Sequence, residues 1–368
     1  MNIPYGRQTI NSDDIQSVLD VLNSDFLTCG PLVKQFEDKI CNKVNSKYGL
    51  AVNSGTAALH LAMYAIDIKS GDEVIVPAIS FVASANCVLY EGGKPIFCDI
   101  DPDTLLIDIN KIETLITSKT KAVIAVDFAG QGVDYIKIRE LCDKYKLYFI
   151  QDAAHSLGVQ YKDGKMIGEV ADITTFSFHP VKNITTGEGG MTVTNNEEFY
   201  KRMLHFRTHG ITRDFRERLT SNTHYYEMVD LGFNYRLPDI LCALGISQLE
   251  KLDKFIEKRN EIAKIYDNKL DKTKYTYLKQ IDNNAYHLYV IKTSGDRDEI
   301  FKQLKSAGIC VNVHYMPIYL HPYYQKLGYT KGLCPKSEEV YEQIISLPIF
   351  PLLKNNELDY VINTMNSI

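Results

Sequence analysis

The chain of 368 residues is marked first by what it does not contain. Its opening, MNIPYGRQTINSDD, has neither the basic stretch nor the apolar core of a signal peptide, and no apolar run approaches the ~18 residues needed to cross a bilayer. The eight cysteines, at positions 29, 41, 87, 98, 142, 242, 310 and 334, form no CxxC pair, and several lie inside apolar runs; they read as reduced thiols of a cytoplasmic protein that is not exported. Blocks of like charge are also missing. The 41 basic and 46 acidic residues interleave to a net charge of -5, which provides no field to recruit nucleic acid or an anionic membrane. There is no low-complexity tract and no internal repeat. What remains, 45% hydrophobic and 24% charged residues, is the composition of a folded protein with a sizeable core. The length suits two domains.

Periodicity sorts the chain into alternating elements. SDDIQSVLDVL, with a Ser/Asp cap and apolar Ile15, Val18, Leu19 and Leu22, predicts an amphipathic helix, and VKQFEDKICNKV keeps the same period. YGLAV predicts a strand that ends in a glycine turn, followed by TAALHLAMYAI, a helix so apolar that it must be buried. Strand and helix patterns then alternate through DEVIVPAIS, ASANCVLYEG, KPIFCDID, NKIETLI, KAVIAVDF, YIKIRELCDKY and LYFIQDAA, which describes an α/β fold with a mainly parallel sheet. ADITTFSF and GGMTVTN follow, then a polar stretch, RDFRERLTSNTHYYEMVD, expected to be a long loop or an ordered insertion. The segment 237–270 reads as one long helix. After it come YHLYVIKT, the helix DEIFKQLKSAG and a strand at CVNVHYMP. This shorter alternation predicts a division into a large domain, 1–245, and a small one, 246–368.

In a parallel sheet ligands collect at the carboxyl ends of the strands, and several chemically suggestive segments fall there. NSGTAAL places Gly55 and Thr56 at a helix start, where free N–H groups favour an anion, although a Ser/Thr-capped helix after a turn explains the same letters. Asp152 follows the apolar strand LYFI; a cationic partner or a cap of the next turn would each account for it. His155 suits a packed core as well as a site. Lys182 stands in FSFHPVKNITTGEGG, where Gly187, Gly189 and Gly190 follow the lysine instead of preceding it, so the GxxxxGK[ST] phosphate loop does not fit. The remaining chemistry for such an amine is a Schiff base. Pyridoxal phosphate needs a lysine, an acidic partner for its ring nitrogen and an anion cradle, which Lys182, Asp152 and the Gly55/Thr56 helix start would supply. His205 and His209, four apart, lack a third ligand, and a metal is not expected.

LTCGPLVKQFE, AVNSGTAALHLA, GDEVIVPAISFVASAN, DAAHSLG, FSFHPVKNITTGEGG, LGFNYRL and VHYMPIYLHPYYQKLGY occur in an order and spacing that resemble the DegT-type, pyridoxal-phosphate-dependent sugar aminotransferases. The resemblance spans nearly the whole chain. It implies a fold-type I transferase with a large, mainly parallel seven-stranded sheet domain and a smaller C-terminal α/β domain. It further implies that Lys182 forms the Schiff base, Asp152 pairs with the ring nitrogen, Phe81 stacks on the ring and His155 lies near the ring hydroxyl. Gly55, Thr56 and Ser177 would hold the phosphate together with Asn234 from a neighbouring subunit, which requires a homodimer with shared sites. Tyr5, His314 and Tyr315 would face the sugar.

Related sugar dehydratases replace the lysine, so Lys182 points to amination. Within the family, HPVK, DAAHSLG and HYMPIY are most similar to members that move nitrogen from glutamate to C4 of a UDP-linked 4-keto-6-deoxy-N-acetylhexosamine, as in pseudaminic acid biosynthesis. Members making 4-amino-arabinose share a similar FSFHxxKNIT run, and a perosamine-type C4 aminotransferase is a further alternative. Retention of Lys182, Asp152 and the phosphate cradle argues against a non-catalytic sugar-nucleotide sensor, and HYMPIY and FNYR argue against an enzyme of free amino acids.

Overall fold

The computed structural model describes residues 2–213, 218 and 220–368. Its main sheet has seven strands: β1 (Tyr48–Val52), β2 (Glu73–Pro77), β3 (Lys94–Cys98), β4 (Thr120–Val126), β5 (Tyr148–Asp152), β6 (Ile173–Ser177) and β7 (Gly190–Thr194). Their order is β1-β7-β6-β5-β4-β2-β3. Neighbours pair in parallel from β6 to β3, and β7 alone runs the other way, antiparallel to both β6 and β1. Six strands therefore release the chain at the same edge.

Both faces of this sheet are covered, which is why its strands read as continuous apolar runs instead of alternating ones. Ala122 to Ala125 of β4 are fully buried. On one face lie the helices Gly55–Ala65, Ala83–Tyr90 and Glu197–Arg207, around Leu61, Met63, Val88 and Phe206. The first of these has seven consecutive buried residues from Ala57 to Met63, as its lack of charge predicts. The opening helix Ser12–Leu22 forms as expected, but its cap is Asn11, which exchanges hydrogen bonds with Asp14 in a capping box.

The segment read as one long helix is two, Asp239–Leu249 and Leu252–Lys269. The chain turns at 250–251, where Lys251 reaches Asp14 at 2.5 Å and the next residue, Leu252, enters the core. A second sheet holds β8 (Tyr275–Tyr277), β9 (Tyr289–Thr293) and β10 (Ile344–Leu347), in the antiparallel order β10-β9-β8. Its core includes Ile262, Tyr266, Ile291, Val361 and also Ile3, which bridges to Ile309. CVNVHYMP, read as a strand, forms a single isolated bridge, because only Asn312 pairs with Ser346 before the chain leaves the sheet towards His314. Of the polar stretch 213–230, residues 214–217 and 219 lie outside those described. No helix among the described residues is long and apolar enough to cross a membrane.

Candidate active site

Asp152 is the last residue of β5, the central strand of the seven-stranded sheet, paired in register with Val126 on one side and Thr175 on the other. Its carboxylate is buried and accepts hydrogen bonds from Ser84 Oγ at 2.7 Å and from the Ala154 N–H at 3.2 Å, while Ser84 is in turn linked to Ser80 at 2.8 Å. Burial raises its pKa, against the two hydrogen bonds and the positive charge of Lys182.

Lys182 lies in the loop from β6 to β7. Thr185 and Thr186 both bond back to the Phe178 carbonyl, and Gly187 takes a φ of +85°, so the loop closes on itself. Asn183, the residue after the lysine, donates to the carbonyls of His155 and Leu157 at 3.2 Å each, which ties the loop to the turn after β5. Burial brings the amine down to about 8, and Asp152 opposes that fall. An ammonium normally near ~10.4 is thereby placed where an appreciable share is neutral and nucleophilic at physiological pH.

The start of helix Gly55–Ala65 completes the edge. Ser54 caps it, accepting from the Ala57 N–H at 3.0 Å, which leaves the N–H groups of Gly55 and Thr56 for an anion. A side chain at Gly55 would put its Cβ 2.9 Å from Cβ of Ser177, so glycine is what allows the helix start and the β6 hydroxyl to share one cradle. Gly190, paired with both Val52 and Ser177, is needed for the same reason: a Cβ there would meet the Ser54 carbonyl at 2.4 Å.

Around these groups the structure gathers His155, His314, Tyr315 and Tyr5. His155 is buried, with Nδ1 lacking a partner, and burial together with Lys182 and His314 holds its pKa well below the usual value. His314, bonded through Nδ1 to Ser346 Oγ at 2.8 Å, is lowered to about 4 by burial and Lys182, so it too is neutral. Tyr315 packs between Phe128 and Phe81, at centroid distances of 6.4 and 6.2 Å, and Tyr5 lies 5.6 Å from His314. Burial raises the hydroxyl pKa of both tyrosines, so they act as neutral donors. Phe81 stands at the mouth, 56% exposed.

Asn234 is not brought into this group. Its side chain is exposed, and its carbonyl accepts from Asn53 Nδ2 of the same chain at 3.4 Å. Three participants escaped the sequence reading. Ser84 gave a signal in ISFVASAN but no indication of which serine would reach Asp152. His287, whose ring lies 4.3 Å from that of His155, comes from the segment just before β9 and carries no local signature. Asp127, one residue beyond β4, reads as an ordinary strand end.

The donor set fits pyridoxal phosphate: a half-buried lysine of lowered pKa, an acid beside it, an unpartnered imidazole nitrogen, and a helix start that only glycine can bring against Ser177. Known proteins agree. The chain is 39% identical over 376 residues to the UDP-4-amino-4,6-dideoxy-N-acetyl-beta-L-altrosamine transaminase of Campylobacter jejuni, covering 100% of this chain and 97% of the relative. It superposes on a Streptococcus pneumoniae protein described as a candidate sugar aminotransferase, in its PLP form, with a TM-score of 0.94 and 32% identity over 100% and 98% of the two chains. A Helicobacter pylori aminotransferase involved in the biosynthesis of pseudoaminic acid gives a TM-score of 0.92 and 36% identity over 100% of each chain. Residues 8–366 match the DegT/DnrJ/EryC1/StrS aminotransferase family as a whole, and the chain belongs to that family of pyridoxal-phosphate-dependent sugar aminotransferases.

Proposed function

We propose that the protein transfers an amino group from glutamate to C4 of a UDP-linked 4-keto-6-deoxy-N-acetylhexosamine, a step of pseudaminic acid biosynthesis. The observation that carries the reading is the Lys182 amine, brought to about 8 beside Asp152 and facing neutral His314 and Tyr315. Likeness to the altrosamine transaminase and to the pseudoaminic acid enzyme supports the sugar.

Pyridoxal phosphate, when bound, supplies a conjugated ring that stores the electron pair released as a substrate C–H bond breaks. Lys182 Nζ is the group that lifts a proton from the α-carbon of glutamate and, in the second half-reaction, returns one to C4 of the sugar. Its lowered pKa suits it to both directions. Asp152 holds the proton of the ring nitrogen, and Ser84 and the Ala154 N–H keep that carboxylate ionised and aimed. Gly55, Thr56 and Ser177 bind the phosphate, His155 meets the ring hydroxyl and Phe81 covers the ring. Tyr5, His314 and Tyr315 orient the sugar through neutral hydrogen bonds, which leaves Lys182 as the basic group.

The site is shared between two copies in this reading, with Asn234 completing the neighbouring phosphate cradle. Leu231 at 71% and Met228 at 63% exposure, beside an exposed Asn234, give an apolar surface that a second subunit would cover. The division into 1–245 and 246–368 places β8 to β10 in the smaller part. Purified protein incubated with glutamate and a panel of UDP-4-keto sugars should release 2-oxoglutarate and yield one amino sugar by mass spectrometry. Turnover of a GDP-linked or pentose keto sugar, with none of the UDP-hexosamine, would replace the substrate.

A further inference from the structure

Behind Asp152 lies a second carboxylate that no step above uses. Asp127 is fully buried at the carboxyl end of β4. Its N–H donates to the Asp152 carbonyl at 3.0 Å. Its Oδ2 accepts from Ser156 Oγ at 2.6 Å and from Gln151 Nε2 at 3.0 Å, and its Oδ1 accepts from the Val133 N–H at 3.1 Å and from Gln151 Nε2 at 3.1 Å. Residues 151, 152 and 156 are thus held by one side chain and its own backbone, and they bracket the turn that carries both Asp152 and His155. The next residue, Phe128, faces His155 and Tyr315 at 6.4 Å each.

This is an expensive arrangement for mere packing. No ion pair to Asp127 occurs among the described residues; its charged neighbour is Asp152, and Tyr161 reaches it only through Gln151 Nε2, at 2.7 Å from the phenol oxygen. Burial lifts its carboxyl to about 7, opposed by Ser156, Gln151 and the Val133 N–H, with Asp152 adding to the rise. Every group around it is able to donate, which is the environment of a carboxylate and not of a protonated acid. The charge of Asp127 repels that of Asp152, and a cation on the other side of Asp152 offsets that repulsion by its attraction to both.

We infer that Asp127 is a positioning residue: it clamps the turn 152–156 so that Asp152 and His155 face Lys182, and its negative charge, one layer behind Asp152, favours the protonated form of the bound cofactor. The inference rests on the pyridoxal phosphate assignment and not on the sugar, so it is tested without a sugar substrate.

The experiment uses holoenzyme, comparing wild type with Asp127→Asn, which keeps the shape and removes the charge, and with Ser156→Ala, which loosens the clamp and keeps the charge. Two quantities are read: the pH at which the visible absorption of bound cofactor changes form, and the dissociation constant for pyridoxal phosphate. Asp127→Asn should lower the midpoint by at least about half a pH unit, because less negative charge faces the protonated form, and weaken binding about 5- to 10-fold. Ser156→Ala should weaken binding roughly 3-fold or more while the midpoint stays closer to wild type. A fall in thermal stability with both quantities unchanged would show a purely structural role and overturn the proposal. Should Asp127→Asn give no soluble holoenzyme, unchanged cofactor affinity in Ser156→Ala overturns it instead.

Discussion

The narrowest point of the anion cradle is where Gly55 meets Ser177, and it provides a quantitative test. In Gly55→Ala the new methyl would lie 2.9 Å from Cβ and 3.2 Å from Oγ of Ser177. Carbon pairs rest at about 3.5–4.0 Å, so the helix start and the end of β6 must separate by roughly 0.6–1 Å. Neither partner moves freely. Ser177 is laddered to Gly190, and Gly190 itself abuts Ser54 so closely that a Cβ there would come within 2.4 Å of the Ser54 carbonyl. Overpacking of this kind costs about 1–3 kcal/mol. If that cost falls on the cofactor-bound state, the dissociation constant for pyridoxal phosphate rises about 5- to 150-fold. The assay is equilibrium titration of cofactor-stripped protein, followed by absorbance. A double-mutant cycle isolates the contact: in a Ser177→Gly background the methyl at 55 loses its obstacle, and the added cost should shrink by about 1 kcal/mol or more. Wild-type affinity in Gly55→Ala, or an equal loss in both backgrounds, would place the phosphate elsewhere.

The purified protein should be yellow, absorbing near about 420 nm, with borohydride fixing the cofactor on Lys182; a reduced adduct on another lysine refutes the central assignment. Because burial brings the Lys182 amine to about 8, capture of pyridoxal phosphate by cofactor-free protein should speed up as pH rises through that value. The sign follows from the neutral amine being the attacking form, about one in ten at pH 7 for such a pKa, and a rate flat from pH 6 to 9 would contradict it. Asp152→Asn should retain cofactor yet lose at least about 100-fold in transamination, since an amide cannot hold the ring proton as a carboxylate does; near-normal turnover would mean another acid does the work. If Asn234 completes the neighbouring subunit's cradle, mixing Asn234→Ala with Lys182→Ala protein should restore activity in heterodimers, where one composite site carries neither defect. Heterodimers that form and stay inactive would confine Asn234 to its own chain.

Most of the parallel architecture was readable because a strand buried on both faces must be apolar throughout and a helix with one side in water must be amphipathic. Those are local requirements, visible in KAVIAVDF and YIKIRELCDKY without any knowledge of the partner. The break at Glu250–Lys251 was not readable. Nothing in the local letters stops a helix there; the turn is set by Asp14, more than two hundred residues away in sequence. β8 and β10 are short and take their regularity from β9, so their own letters hold little period to detect.

The site divides in the same way. Sequence alone determined which chemistry is possible: a lysine ahead of a glycine-rich turn, an acid at the end of an apolar strand and a glycine at a helix start are each fixed by residue type and by one local element. Only the tertiary structure decided that they act on one another. Burial brought Lys182 to about 8, the approach of β6 to the 55–65 helix made glycine obligatory at 55, and the second sheet delivered His287 and His314 to the edge of the first. Desolvation and close contact are properties of the assembled edge, summed over elements far apart in the chain, and no single segment records them.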